Sequence, residues 1–320
     1  DVPKGNYADL TTKGFELSVS WRDQFQLASK PFNYEVRFTL ADYQSTIDKY
    51  NNPEKKLGDD YYYEGMKVGE IWGYETEGFF TSQADIDSHA KQPYFYAGAT
   101  AGQWLPGDIK FKDLNGDGVI DYGNNTVDNP GDQKIIGNSE PRFIYGINLS
   151  GDWNNFFVSA FFQGVGKQDW WPGSEASYFW GMYNRPYNDM PKSHLGNIWT
   201  EENPNTYFPR LRGYSSEEPY AELNLKQTRY LQNIAYIRMK NIQLGYTLPK
   251  SFISKLRMQN AKVYVSGENL WSWSPFYKYS KDLDVEAVRG SDRDLTEGTS
   301  GNGYSYPILK SVSFGLSVTF

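Results

Sequence analysis

The stretch best equipped for chemistry is Asp113-Leu-Asn115-Gly-Asp117-Gly118-Val119-Ile120-Asp121. Oxygen-bearing side chains stand first, third, fifth and ninth in it, the sixth residue is a glycine that permits a sharp turn, and the seventh, Val119, offers its backbone carbonyl. Those offsets match the front of a calcium loop, because this hard cation takes about six to eight oxygens and one turn of chain can present most of them. Asp113, Asn115, Asp117, Val119 and Asp121 are therefore the candidate calcium ligands, and calcium is the one cofactor expected. The twelfth residue is Asn124 instead of the bidentate glutamate of an EF-hand, and no helical periodicity flanks the loop. Asp128 or Asp132 would have to complete the shell. The competing reading is an Asx and glycine turn that needs no metal.

Catalytic groups are sparse. His89 and His194 are the two histidines, both in polar stretches with no nucleophile at a diagnostic spacing. Neither a nucleophile elbow nor a phosphate-cradling or dinucleotide-binding glycine motif occurs. The acid pairs Asp59-Asp60, Glu201-Glu202 and Glu217-Glu218 read as solvated loop charge, since adjacency in sequence says nothing about the separation across a cleft that glycoside hydrolysis requires. No enzymatic activity is expected.

Aromatic residues make up 17% of the chain, an excess that suits barrel girdles, ligand-stacking surfaces or both. The densest cluster is Trp170, Trp171 and Trp180 with Tyr178, Phe179 and Tyr183, set among Gly and Pro. Stacking on a sugar ring or contact with a partner is the functional reading of these tryptophans, and packing of a large loop is the alternative. The absence of cysteine removes disulfides, thiolate metal sites and cysteine nucleophiles, and fits an oxidising envelope compartment. A net charge of −7 argues against a nucleic-acid partner. With a mean hydropathy of −0.68, no run reaches the roughly 18 apolar residues that a membrane helix needs. A β-barrel escapes that test, because only alternate residues of a strand must face lipid. Asp1-Val-Pro-Lys-Gly is neither a basic nor an apolar leader region, so the chain is expected to be mature or a piece of something longer.

The elements that carry these groups are two-faced strands. In residues 14–22, Phe15, Leu17, Val19 and Trp21 alternate with Glu16, Ser18 and Ser20. In residues 32–40, Phe32, Tyr34, Val36, Phe38 and Leu40 alternate with Asn33, Glu35, Arg37 and Thr39. Successive strand side chains point to opposite faces, so the charge falls on one side and the apolar groups on the other. A polar region, residues 43–141, follows, with short strands predicted at 70–80 and 108–112 and a helical turn at 83–89. Alternation resumes at Phe143, Tyr145, Ile147 and Leu149, turns at 151–154, and returns over 156–165, where both faces carry Phe and the outward side stays open. After a second long loop, 166–229, Ile242, Leu244, Tyr246 and Leu248 define a strand whose start at 234–240 breaks parity and predicts a bulge. A short connector, 249–260, with a helical turn at 251–256, leads to Ala261, Val263 and Val265 against Lys262, Tyr264, Ser266 and Glu268. A third loop, 270–306, precedes the last strand, 311–320.

The connectors therefore run short, long, short, long, short, long. Outer-membrane barrels have short turns at the periplasmic end and long loops outside, which gives this order and predicts a periplasmic C-terminus. Seven strands is an odd number, whereas single-chain bacterial barrels use even numbers, so the barrel is expected to be incomplete. In the last strand Val312, Phe314, Leu316, Val318 and Phe320 alternate with small or hydroxylated residues. Ser313, Gly315, Val318 and the terminal Phe320 fit the pattern of the assembly signal on the closing strand of outer-membrane barrels. The fold class expected is an all-β, antiparallel transmembrane β-barrel segment with long extracellular loops.

DLNGDGVID at 113–121, KIIGNSEPRFIYGINLS at 134–150, YIRMKNIQLGYTLP at 236–249, VYVSGENLWSWS at 263–274 and the terminal strand occur in this order. Together they make the chain, over essentially all its length, resemble the C-terminal part of a SusC/RagA-like TonB-dependent transporter. The resemblance implies an outer-membrane barrel of about 22 strands, with an N-terminal plug and TonB box that this chain lacks. It implies a SusD-like surface lipoprotein over the mouth, coupling to TonB, and uptake of glycan or peptide oligomers. The alternative is a secreted, calcium-dependent, carbohydrate-binding β-sandwich, whose connectors need not sort into short and long ends. A β-rich glycoside hydrolase would need an acid pair that does not stand out.

Overall fold

Alternation between apolar and polar side chains carries through to the architecture. The computed structural model describes residues 8–58, 61–92, 104–174, 176–185, 187–217, 221–288 and 306–320. Asp59, Asp60 and Glu218 lie outside the described residues. The strands are β1 (Asp9–Leu27), β2 (Lys30–Lys49), β3 (Glu70–Tyr74), β4 (Thr76–Phe79), β5 (Ile109–Phe111), β6 (Gln133–Asn138), β7 (Arg142–Trp153), β8 (Phe156–Lys167), β9 (Asp169–Trp170), β10 (Gln232–Asn233), β11 (Tyr236–Thr247), β12 (Asn260–Trp273) and β13 (Ser311–Thr319). Seven of them form one antiparallel sheet in the order β1-β2-β7-β8-β11-β12-β13, so each strand lies beside its predecessor in that series. The other six pair off in the long connectors as β3 with β6, β4 with β5, and β9 with β10.

Strands β1 and β2 extend well past the predicted 14–22 and 32–40, and the connector shrinks to Ala28 and Ser29. Asp23 breaks the apolar pattern but not the pairing, which continues through Phe25 opposite Phe32 to Leu27 opposite Lys30. Ala28 and Ser29 both take positive φ, as do Asn154 and Asn155 at the β7–β8 turn, the conformation that matches a tight hairpin to strand twist. The predicted parity break is a register shift between Met239 and Asn241. The helical turns form at Gln83–Ser88 and Lys250–Ile253. The third loop starts later than expected, because β12 runs on to Trp273.

Pairing fixes the faces that the sequence left open. Trp21, Val36, Leu149 and Ala160 share one face, as do Tyr246, Val263 and Leu316. Phe156, Val158 and Phe162 belong to that face, whereas Phe157 and Phe161 stand on the other. The apolar face is uncovered: Trp21 is 62% exposed and Phe314 87%. A β-sandwich would cover this face with a second sheet, and the described residues contain none in place. Among the described residues no helix is long and apolar enough to cross a membrane, which says nothing of strands.

The core sits instead at one end of the sheet. Antiparallel order puts all three long connectors at the same end, and they share one hydrophobic cluster. Tyr74, Ile109 and Phe111 come from the first, Trp180, Phe208 and Tyr230 from the second, and Phe276, Leu283 and Val288 from the third. A smaller cluster of Ile47, Leu57, Tyr63 and Met66 packs at the end of β2.

Candidate functional site

The polar face of the sheet is a continuous band of hydrogen-bonding and charged groups. Near the short turns, Arg22 on β1 meets Glu35 on β2 at 3.0 Å, with Arg37 at 4.0 Å from the same carboxylate. Asn33 donates to Asp152 at 2.8 Å across β2 and β7. Ser150, Ser159 and Asn241 continue the band. These side chains are partly solvated, so the ion pairs contribute little stability and chiefly make the surface wettable.

The same face carries a row that fits by shape. Phe157, Gly245, Tyr264 and Gly315 lie directly opposite one another on four successive strands. A Cβ on Gly245 would lie 2.3 Å from Phe157 Cζ, and one on Gly315 would lie 2.1 Å from Tyr264 Cζ. Each ring therefore lies flat across a glycine of its neighbour. This places Gly315 of the predicted assembly signal; Ser313 is on the same face, and Val318 and Phe320 have the opposite parity.

In the Asp113–Asp121 loop the acidic groups turn toward their own backbone. Asp113 accepts from the amides of Gly116 at 2.6 Å and Gly118 at 2.9 Å. Asn115 accepts from Asp117 N at 2.9 Å, Asp117 from Val119 N at 2.8 Å, and Asp121 from Gly123 N at 2.7 Å. Asp132, fully buried, accepts from Leu114 N at 2.7 Å and Asp121 N at 2.9 Å and ties the loop to β6. Burial raises the Asp132 carboxyl above its usual range despite these bonds. The donor set fits calcium by chemical type, but among the described residues no three acids or histidines converge on one point.

The tryptophans are packed inside the outer layer. Trp180 is fully buried and donates through Nε1 to Pro172 O at 3.1 Å and Gly173 O at 3.0 Å; Trp170 is 4% exposed, edge-on to Phe179 and Phe276. Trp171 packs against Trp180. Further chain can only bury them more, so Trp170 and Trp180 do not present stacking faces. Among the described residues of this stretch, Tyr178 and Tyr187 are the exposed aromatics.

Both histidines are structural. His89 Nε2 bonds Phe111 O at 2.8 Å, and His194 Nε2 bonds Phe179 O at 2.9 Å in a buried setting that pushes its pKa down. Deeper in the layer, Asp108 is fully buried and bonded by Arg210 at 2.6 Å and by Arg212. Glu222 lies beside it and accepts from Ile109 N at 2.8 Å, and burial followed by the nearby Asp108 charge pushes it up to about 8. A feature not foreseen from the sequence is a cavity of about 340 Å³ among Tyr61, Tyr63, Trp72, Tyr122, Glu70 and Asn125. It brings rings and amides together from residues 57–74, 122–133 and 224–226, a separation no local pattern reveals.

Comparison with known proteins gives a consistent result over the whole chain. No protein-family profile matches it. Three TonB-dependent receptors of Formosa agariphila are similar to it: two are 26% identical over 98% of the chain, and a third is 24% identical over 99%. Among solved structures, the RagAB peptide transporter shares the fold with a TM-score of 0.62 over 97% of the chain, at 17% identity. The RagAB peptide importer in its open-open state gives 0.59 over 98%, at 17% identity. The chain spans 29% to 31% of the length of these receptors and 29% of these structures. The resemblance read from the motifs therefore holds from one end of the chain to the other.

Proposed function

We infer that this chain is a segment of a SusC/RagA-like TonB-dependent transporter and propose that it forms wall and outer loops of a barrel importing nutrient oligomers across a bacterial outer membrane. The observation that carries the reading is the sheet itself, apolar and uncovered on one face, polar on the other, with every long connector at one end. On the apolar face of β1 the uncharged residues Phe15 to Trp21 lie within the interval bounded by the charges of Lys13 and Asp23. At about 3.3 Å per residue and a tilt of about 40°, it rises roughly 25 Å, the height of the lipid-facing band of outer-membrane barrels.

In this reading the polar face lines a hydrated lumen, the long connectors lie outside the cell and the C-terminus is periplasmic. A SusD-like lipoprotein would close the outer mouth, and TonB would act through other parts of the whole protein. The substrate is a glycan or peptide oligomer, as the RagAB likeness and the aromatic cavity support, and contact with it belongs to exposed rings such as Tyr122 rather than to Trp170 or Trp180. Leu17→Lys in the full-length protein should cost about 2 to 4 kcal/mol of barrel stability, and Ser18→Lys on the polar face much less. Heat-modifiable migration of the folded barrel on gels reads the difference. Equal assembly of the two variants would sink the lipid-facing assignment.

Calcium at the Asp113–Asp121 loop is a second proposal, supported by ligand chemistry alone. A calcium-dependent rise in thermal midpoint that disappears in Asp113→Ala and Asp117→Ala is the outcome expected of it. Identical midpoints in calcium and in chelator would leave the Asx turns as the whole account of the loop.

A further inference from the structure

The cavity of about 340 Å³ lies where the first long connector meets the second. That size is near the lower bound of ligand cavities, about 300 to 1,000 Å³, and suits a small ring better than an extended oligomer. Two of its rings are open to solvent, since Tyr61 and Tyr122 are each 48% exposed, whereas Tyr63 and Tyr74 are buried and Trp72 is half-buried. Polar atoms come from the Glu70 carboxylate and from the side-chain amides of Asn125 and Gln133. Among the described residues, Glu70 and Lys226 are the charged members of the lining, and they cancel.

The walls are fixed by their own hydrogen bonds. Buried Asn52 donates through Nδ2 to Lys56 O at 2.9 Å and Tyr62 O at 3.0 Å, which sets the loop that carries Tyr61. Leu57 N donates to Asn125 O at 2.8 Å and Asn125 Nδ2 to Leu57 O at 2.9 Å, so the loops bearing Tyr61 and Tyr122 are tied to each other. Glu70 accepts from the Tyr63 hydroxyl and from Lys67 N at 3.0 Å, and Trp72 Nε1 donates to the Tyr63 hydroxyl at 3.3 Å. A carboxylate offers about four lone-pair sites, so these two bonds leave Glu70 acceptor capacity.

The chemistry of the lining narrows the occupant. An extended peptide binds by adding to an open strand edge. At Tyr74 that edge of β3 is already taken, because Tyr74 N donates to Lys226 O at 2.8 Å and Tyr74 O accepts from Thr228 N at 3.0 Å. An acidic oligomer calls for an excess of cations, and the lining has no net charge. A pyranose has an apolar C–H face and a rim of hydroxyls that both donate and accept, which matches tyrosine faces set beside amides and a carboxylate. We propose that this cavity is a subsite for a neutral sugar, one pyranose of an oligosaccharide lying against the Tyr61 and Tyr122 rings with its hydroxyls bonded by Glu70, Asn125 and Gln133. This assignment rests on the transporter reading, in which the long connectors lie where nutrient arrives, and it commits the substrate of that reading to a neutral glycan.

The test is calorimetric titration of the full-length transporter in neutral detergent. Maltohexaose, cellohexaose and mannohexaose serve as neutral probes, hexagalacturonate as the acidic one and hexa-alanine as the peptide. Saturable binding of at least one neutral hexasaccharide is expected, weakened about tenfold or more in Tyr61→Ala/Tyr122→Ala by the loss of two ring contacts. Tyr61→Phe/Tyr122→Phe keeps both ring faces and should lose about fivefold at most, the worth of a hydroxyl's hydrogen bond. Tyr122→Ala alone, also weaker than wild type, carries the test should the double alanine variant fail to assemble. An affinity unchanged in the alanine variants overturns the proposal. So does tighter binding of hexagalacturonate or hexa-alanine than of every neutral sugar, or no binding of any neutral sugar. If Leu17→Lys blocks assembly, Ser18→Lys does not, and no neutral sugar binds, this inference fails while the barrel reading stands. Equal assembly of those two variants sinks the barrel reading instead, whatever the sugars do.

Discussion

Glu222 shows how a single carboxyl in the outer layer acquires a pH dependence. Its acid form is favoured in the folded protein, because burial raises its pKa from 4.5 to about 8. The stability it contributes is fully present below pH 4.5 and is lost as pH rises through about 8. Glu222→Gln keeps an acceptor for Ile109 N but cannot ionise. At pH 9 the amides of residues 105–112 should therefore exchange about tenfold or more slowly in the variant than in the wild type, after correction for intrinsic exchange. At pH 5 the two should exchange alike. Neither this acid nor the Asp108 cluster was legible in the sequence, because Asp108, Arg210 and Glu222 meet only when the first and second connectors fold on each other. The Asp113 loop was legible as a turn, since its Asx and glycine spacing is local, but its dependence on Asp132 was not.

At the scale of the strand, alternation made β1, β2 and β13 readable and failed at β8. With Phe156, Phe157, Phe161 and Phe162 in one strand, parity cannot choose a face; the partner does, because Phe157 needs the open space over Gly245. Strand ends were also misjudged, since Ala28-Ser29 lacks the Asn-Gly signature of a tight hairpin. The ring-over-glycine row gives a sharp expectation. Gly315→Ala would put a methyl against Tyr264 and should cost about 1 to 3 kcal/mol, as overpacking does. Adding Tyr264→Ala should recover a large part of that loss. Heat-modifiable migration of the single and double variants reads both, and a double variant worse than the sum of the singles would show that the ring and glycine are not a packing pair.

For the molecule as a whole, the ordering of short and long connectors was the most informative feature of the sequence, and it is the feature that the sheet topology reproduces. What lay beyond reach was the burial of Trp170 and Trp180, which depends on Tyr230 and Phe276 far along the chain. The shared cluster of the three long connectors has a consequence for the order of events in folding. Its members run from Tyr74 to Val288, so although Trp180, Phe208 and Tyr230 can meet within the second connector, the contacts between connectors cannot form until the strands between them are paired in register. Contacts so distant in sequence close slowly, because the entropy of the intervening chain is lost before they form. The outer layer is thus the last part of this segment to consolidate. Until then rings that meet across connectors, such as Trp170 against Phe276, stay open, and a chaperone that covers them is expected to raise the yield of folded chain.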